Sequence, residues 1–149
     1  MAQKKQLSAS LEDYLEAIYN LSQGSKVARS KDIAQNLGVS RASVTSALKL
    51  LNSKELIDYQ PYGFINLTEK GIQKAQSVVS RHIILETFFV NVLGVDKETA
   101  EHAACKAEHI LGQTVISKLL DFTEFSTSYS KKGTDIIADF QRYCRSKGI

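Results

Sequence analysis

The sequence predicts a mainly α-helical protein made of two units, with one short β-hairpin in the first. Three observations lead to this fold class. Apolar residues recur at helical spacing along most of the 149-residue chain. Residues 56–68 instead alternate apolar and polar residues on both sides of a turn that contains proline and glycine. A long helical segment then begins near residue 69 and joins the two halves of the chain.

Three helices are predicted before the hairpin. Ser10 is the predicted N-cap of the first, which contains the segment LEDYLEAIYNL and is ended by Gly24. Two short helices follow: Ser30 caps the first of them, Gly38 ends it, and Ser40 caps the second. The pattern predicts that the second short helix buries four residues, which are Val44, Ala47, Leu48 and Leu51.

The hairpin lies in the segment LIDYQPYGFINLT, where residues 60–63 have the composition of a type I turn. A helix-turn-helix followed by a two-stranded β wing is a winged helix. In such a unit the second helix enters the major groove of DNA, and the wing contacts the backbone or the minor groove. The N-terminal half is therefore predicted to be a winged helix-turn-helix.

The C-terminal half is predicted to be all α. Thr68 caps a long helix over residues 69–93, and Asp96 caps the next, which Gly112 ends. Two more helices follow, TVISKLLDFTEF and TDIIADFQRYCRSKG, separated by the polar loop STSYSKKG. We place the domain boundary inside the long helix, so that residues 1–74 form one domain and residues 75–149 the other.

Charge and composition restrict the function. The net charge is +3, and all of the excess lies in residues 1–74, which hold ten Lys and Arg against seven Asp and Glu. This distribution favours an anionic partner for the N-terminal half. The longest apolar stretch is far shorter than the roughly 20 residues that cross a bilayer, and no signal segment is present, so we expect a cytoplasmic protein without a membrane partner. The cysteines, Cys105 and Cys144, indicate no disulfide framework.

The second short helix carries the candidate DNA-binding residues. Helical phase puts Thr45, Ser46 and Lys49 on its outward face, where hydroxyl and amino groups suit base edges and phosphates. Arg41, at the start of the helix, is placed for a phosphate. An alternative is that this face is only a polar, solvated surface. The predicted DNA-binding set is Arg41, Ala42, Ser43, Thr45, Ser46, Lys49 and the wing residue Tyr62.

The segment AEHAACKAEHIL, residues 100–111, carries a second cluster. Glu101, His102, Cys105, Glu108 and His109 fall within an arc of about 120° on a helix. A solvated helix face would look the same, but a free cysteine at the centre of a charged face is unusual. Thiolate, carboxylate and imidazole groups on adjacent turns suit a divalent transition metal. Both interpretations fit the residues.

Other segments would have to complete a metal shell. His82 lies on the inward side of the long helix, with Glu86 one turn later as a hydrogen-bond partner. Asp13 and Glu16 are neighbours on the first helix. Taken singly, each of these residues also has an ordinary structural explanation.

Five ordered motifs resemble one family. LEDYLEAIYNL, DIAQNLGVSRASVTSALKLL, PYGFINLTEKG, RHIILETFFVNVLGV and CKAEHIL stand in the order and spacing of the diphtheria toxin repressor family of metal-dependent transcriptional repressors. The resemblance covers about residues 8–125, and the length is similar to that of the short manganese transport regulators. It implies six metal ligands: Asp13, Glu16, His82, Cys105, Glu108 and His109. It also implies Glu86, Glu101 and His102 as candidate ancillary ligands.

The resemblance further implies a homodimeric repressor that binds double-stranded operator DNA, with a divalent metal ion as co-repressor and an all-α metal-binding and dimerisation domain. Manganese regulators carry glutamate at the position of Cys105, so the softer thiolate favours Fe²⁺, with Mn²⁺ next; Co²⁺, Ni²⁺ or Zn²⁺ are expected to bind in vitro. Two other classes fit the residues alone. One is a winged-helix regulator that senses an organic ligand, and the other is a helical dimetal enzyme, which would need two ExxH motifs that the sequence lacks.

Overall fold

The computed structural model describes residues 7–24, 26–60, 63–130, 133 and 135–148. The chain divides into two compact units, residues 1–79 and 80–149. Among the described residues, the first unit contains three helices, a two-stranded hairpin and most of a fourth helix. The second contains the end of that fourth helix, a π-helical turn and three further α-helices. This architecture confirms the predicted fold class. In the part of the chain that the structure describes, no helix combines the length and apolar character that a membrane span requires.

Helix α1, Ala9–Leu21, begins earlier than the sequence pattern predicted. The N-cap is Ser8 and not Ser10, because the Ser8 hydroxyl accepts a hydrogen bond from the Leu11 amide at 3.3 Å. The apolar stripe of the helix faces the core as predicted, with Leu15 and Ile18 fully buried.

Helices α2, Ser30–Leu37, and α3, Arg41–Ser53, form the predicted helix-turn-helix. Ser30 is the first helical residue and not the cap: Arg29 holds the N-cap position without a side-chain hydrogen bond. Gly38 ends α2 with φ of +65°, in the left-handed region that glycine tolerates. The Ser40 hydroxyl caps α3, and the four predicted core residues of α3 are all buried.

Strands β1, Ile57–Tyr59, and β2, Ile65–Leu67, form the predicted antiparallel hairpin. The register pairs Ile57 with Leu67 and Tyr59 with Ile65. The Gly63 amide donates to the Gln60 carbonyl at 2.9 Å, as a tight turn requires; Pro61 and Tyr62 lie outside the described residues. Ile57 and Ile65 join the helices in one hydrophobic core, which also includes Leu15, Ile18, Ile33, Val44, Leu48 and Leu51.

Helix α4, Glu69–Thr87, connects the two units. The Thr68 hydroxyl accepts a hydrogen bond from the Gly71 amide at 3.0 Å, which confirms the predicted cap. The regular helix ends at Thr87 and not at residue 93, because Phe88–Val92 widen into a π-helical turn. The Leu93 amide then bonds to the Phe88 carbonyl, five residues earlier.

Helix α5, Lys97–Ala107, is shorter than predicted. Asp96 caps it, and the hydrogen bond from the Thr99 amide lowers the pKa of that carboxyl group. After Ala107 the chain tightens, since the Ile110 amide bonds to the Ala107 carbonyl three residues earlier. Ile110 lies in this turn and is 81% exposed.

The last two helices are α6, Gln113–Ser130, and α7, Ile136–Ser146. The predicted polar loop at residues 126–133 is wrong for its first five residues, which continue α6. The hydroxyls of Ser126, Thr127 and Ser130 donate to carbonyls four residues earlier and so are satisfied within the helix. The core of this second unit is small, with Leu85, Ala104 and Ile116 at its centre.

Candidate metal centre and nucleic-acid interface

Glu108 is the centre of a cluster of ionisable side chains in the second unit. Its carboxylate is 1% exposed, and each of its oxygens meets an imidazole. His82 Nδ1 lies 2.8 Å from Glu108 Oε2, and His109 Nε2 lies 3.3 Å from Glu108 Oε1. A carboxylate removed from water in this way is stable only beside positive charge or strong donors. Glu108 is therefore the most constrained of the predicted ligands.

Glu86 extends this cluster along α4. Its Oε2 lies 3.6 Å from His82 Nε2, so one imidazole stands between two carboxylates. The side chains of His82 and Glu86 are 17% and 27% exposed. Glu86 thus lies next to the cluster around Glu108.

The remaining predicted residues of α5 lie on its solvent side. Cys105, Glu101 and His102 are exposed. Exposure leaves a thiol accessible to a metal ion and to oxidants. Within the second unit, the structure brings together His82, Glu86, Glu108 and His109.

The predicted ligands of the first unit stand on α1. Asp13 is exposed and Glu16 is partly buried, on the side of the helix away from Leu15 and Ile18. Their neighbour Glu12 is 3% exposed and pairs with Lys74 at 2.8 Å. The first unit thus offers two carboxylates on one helix, beside a third that is neutralised by a lysine.

The donor set fits a divalent first-row transition metal. Two imidazole nitrogens are borderline donors and a carboxylate is a hard donor, and Fe²⁺, Mn²⁺, Co²⁺ and Zn²⁺ all accept this combination. A cation would satisfy the Glu108 carboxylate as the imidazoles do here, because burial makes that group seek positive charge. The residues of the second unit therefore fit the metal that the sequence pattern implied.

Helix α3 presents the predicted DNA-binding residues to solvent. Arg41, Ala42, Ser43, Ser46 and Lys49 are exposed. Thr45 differs, because it is half-buried and its hydroxyl donates to the Arg41 carbonyl at 3.0 Å. Its hydroxyl oxygen can still accept a hydrogen bond from a base edge.

An open cleft of about 600 Å³ lies between α3 and the hairpin. Among the described residues three cations line it, of which Arg41 and Lys49 were predicted to contact DNA and Arg29 was not. The sequence analysis missed Arg29 because this residue precedes α2 and lies outside the periodic segments. Its basic side chain at the N-cap of the first helix of the helix-turn-helix is the signal that could have identified it. The described residues that line the cleft are Arg29, Ser30, Arg41, Thr45, Lys49, Tyr59, Gly63 and Phe64.

Family comparisons match both halves of the chain. Residues 6–65 match the N-terminal DNA-binding domain of the iron dependent repressors. Residues 68–137 match the metal-binding and dimerisation domain of the same repressors.

Two transcriptional regulators are similar to most of this chain. An uncharacterised HTH-type transcriptional regulator of Methanocaldococcus jannaschii is 36% identical over 79% of this chain and 95% of its own length. The HTH-type transcriptional regulator MntR of Listeria monocytogenes is 36% identical over 78% of this chain and 81% of its own.

Solved structures also match this fold. A manganese-dependent transcriptional repressor in complex with manganese is similar, with a TM-score of 0.71 and 28% identity over 77% of this chain. The manganese regulator SloR matches with a TM-score of 0.69 and 29% identity, also over 77% of this chain. This chain spans about half the length of these two structures, 53% and 54%.

The winged helix and the cluster of carboxylate and imidazole groups together define a regulator class that couples DNA binding to a metal ion. The chain belongs to the diphtheria toxin repressor family of metal-dependent transcriptional repressors. The predicted resemblance is thereby confirmed.

Proposed function

We propose that this protein is a cytoplasmic, metal-dependent transcriptional repressor that binds operator DNA as a homodimer when Fe²⁺ or Mn²⁺ is bound, and so controls metal-ion homeostasis. In this proposal residues 1–74 are the DNA-binding domain and residues 75–149 the metal-binding and dimerisation domain. The observation that carries it is the buried Glu108 carboxylate with its two imidazole partners. This cluster lies in the part of the chain that matches a metal-binding family.

The proposed ligands come from both units. Asp13 and Glu16 belong to α1, whereas the others belong to α4, α5 and the turn after α5. A bound divalent cation supplies positive charge that turns repulsion between these carboxylates into attraction. The full proposed set is Asp13, Glu16, His82, Cys105, Glu108 and His109, with Glu86, Glu101 and His102 as ancillary candidates.

Ligation by residues of both units would restrict their relative orientation. Helix-turn-helix dimers must hold their recognition helices about 34 Å apart, or a multiple of that distance, to reach two half-sites. Restricting the orientation would therefore favour the form of the dimer that binds DNA. A coupling free energy of about 1–3 kcal/mol between metal binding and DNA binding would change the DNA affinity about 5- to 150-fold.

Cys105 decides the metal preference that we propose. A thiolate is a softer ligand than a carboxylate and favours Fe²⁺ over Mn²⁺. The relatives with solved structures include a manganese-dependent repressor and a ScaR structure with Zn²⁺ bound. We therefore propose Fe²⁺ first and Mn²⁺ second, with Co²⁺, Ni²⁺ and Zn²⁺ binding in vitro.

An anaerobic titration, one metal at a time, tests this proposal. The probe is a duplex selected by the protein from random DNA of about 30 base pairs, which holds two half-sites one helical turn apart. We expect tight DNA binding at micromolar Fe²⁺, weaker DNA binding with Mn²⁺, and no metal-dependent DNA binding with Mg²⁺ or a chelator. Fluorescence anisotropy measures the binding. DNA binding that is the same with chelator as with Fe²⁺ would contradict the proposal.

Arg29→Ala should weaken DNA binding without changing sequence preference. In our proposal Arg29 contacts a backbone phosphate. Losing one such contact makes the slope of log affinity against log salt concentration shallower by about 0.9. Affinity for the selected duplex and for random DNA should fall by the same factor, in anisotropy titrations at several salt concentrations. Arg145→Ala, an equal charge change at an exposed position of α7, is the control. An unchanged salt slope in Arg29→Ala would remove Arg29 from the interface.

A further inference from the structure

One ion pair in the first unit is both close and shielded from water. Lys74 Nζ on α4 lies 2.8 Å from Glu12 Oε1 on α1. The side chains of these residues are 29% and 3% exposed. Water screens such a pair much less than it screens a surface pair, so both charges act strongly on neighbouring groups.

Glu12 stands among the proposed ligands of α1. It directly precedes Asp13, and its side chain neighbours that of Glu16, four residues later on the same helix. Any change in the charge of the Glu12 and Lys74 pair therefore changes the electrostatic potential at Asp13 and Glu16. The ion pair is not part of the proposed ligand set, yet it lies beside it.

We propose that Lys74 sets the metal concentration at which this protein responds, by neutralising Glu12 beside the ligands of α1. The inference rests on the proposed function, and in particular on Asp13 and Glu16 as ligands. With Lys74 present, the acidic end of α1 carries one unit of negative charge less. The affinity for a divalent cation is correspondingly lower, and the protein responds only at a higher metal concentration.

Lys70 provides a matched comparison on the same helix. It lies about one turn before Lys74 and faces Glu55 at 3.6 Å, but these side chains are 63% and 85% exposed. A pair so open to water contributes little to the potential at other sites. Removing the charge of Lys70 should therefore leave metal binding unchanged.

Calorimetric titration of the full chain with Mn²⁺, without DNA, tests the inference. Lys74→Gln and Lys74→Met should bind Mn²⁺ about 5-fold more tightly or better, the lower end of typical couplings between sites. Glu12→Gln should bind more weakly by a similar factor. The double variant, Lys74→Gln with Glu12→Gln, should have a Mn²⁺ affinity close to that of the wild type. The controls Lys70→Gln and Lys74→Arg should bind Mn²⁺ as tightly as the wild type.

The opposite signs of the two single variants are the decisive result. If the ion pair served only to hold α1 against α4, removing either partner would weaken metal binding in the same direction. Thermal unfolding of each metal-free variant shows which variants are folded at the titration temperature. Lys74→Met keeps the aliphatic part of the side chain and removes only its charge. Weaker or unchanged Mn²⁺ binding in Lys74→Gln and Lys74→Met would overturn the inference. A wild type that binds no Mn²⁺ or Fe²⁺ would instead contradict the proposed function itself.

Discussion

Glu108→Ala should abolish the metal-dependent part of DNA binding while leaving a folded protein. Glu108 is the buried carboxylate that joins His82 and His109, so its loss removes a proposed ligand and releases two imidazoles. DNA affinity at saturating Fe²⁺ should fall to that of the metal-free wild type, a loss of about 5- to 150-fold. Anisotropy with the selected duplex, with and without chelator, measures the difference.

Two further variants separate ligation from folding. Glu108→Gln keeps the shape of the side chain without its charge, and we expect it to lose the metal response as well, because an amide is a poor ligand for these ions. Glu98→Ala removes an exposed carboxylate from the first turn of α5 and should keep the full response. Circular dichroism should show the same helix content in all three proteins. Metal-dependent retention of DNA by Glu108→Ala at the wild-type level would refute the proposed metal centre.

Phe125→Glu should convert the proposed dimer into monomers and weaken operator binding. Helix α6 exposes a row of apolar side chains to solvent, at spacings of three, four and seven residues. This spacing is typical of a helix that packs against another helix. These residues are Val115, Phe122, Phe125 and Tyr129, all more than 40% exposed. Beside them a small apolar groove opens between the π-helical turn, α6 and α7, lined by Phe88, Val92, Leu93, Phe122, Ser126, Ile136, Ile137 and Phe140.

The expected effect on dimerisation is large because a homodimer carries the substitution in both of its subunits. An unpaired charge in a buried interface costs about 3–5 kcal/mol, and every 1.4 kcal/mol is a tenfold change in the dissociation constant. Sedimentation equilibrium should show a dissociation constant for the dimer at least about 100-fold higher than for the wild type. Thr127→Glu places the same charge on another exposed side of α6 and should remain dimeric. A dimer of Phe125→Glu as stable as the wild type would exclude this surface.

Local signals in the sequence predicted most of the first unit. Hydrophobic periodicity, the Ser40 cap and the left-handed Gly38 predicted the helix-turn-helix, and strict alternation predicted the hairpin. These features act over a few residues, so they can be read without knowledge of packing. The errors in this unit concern only helix starts, such as Ser8 in place of Ser10.

The second unit was predicted less well, because polarity and helical periodicity did not show where its helices end. Polarity suggested a loop at residues 126–133, but hydroxyl groups that bond within the helix let α6 continue to Ser130. The widened turn at Phe88–Val92 and the tightened turn after Ala107 also lacked a local signal.

The sequence by itself determined the fold class, the family and the residue types that suit a metal ion, since these follow from periodicity, motif order and donor chemistry. Only the tertiary structure decided which carboxylate is buried. Glu108, Glu101 and Glu86 look alike in the sequence, but packing removes Glu108 from water and surrounds it with the imidazoles of His82 and His109. Burial depends on residues far apart in the chain, and it is burial that gives one carboxylate its demand for positive charge.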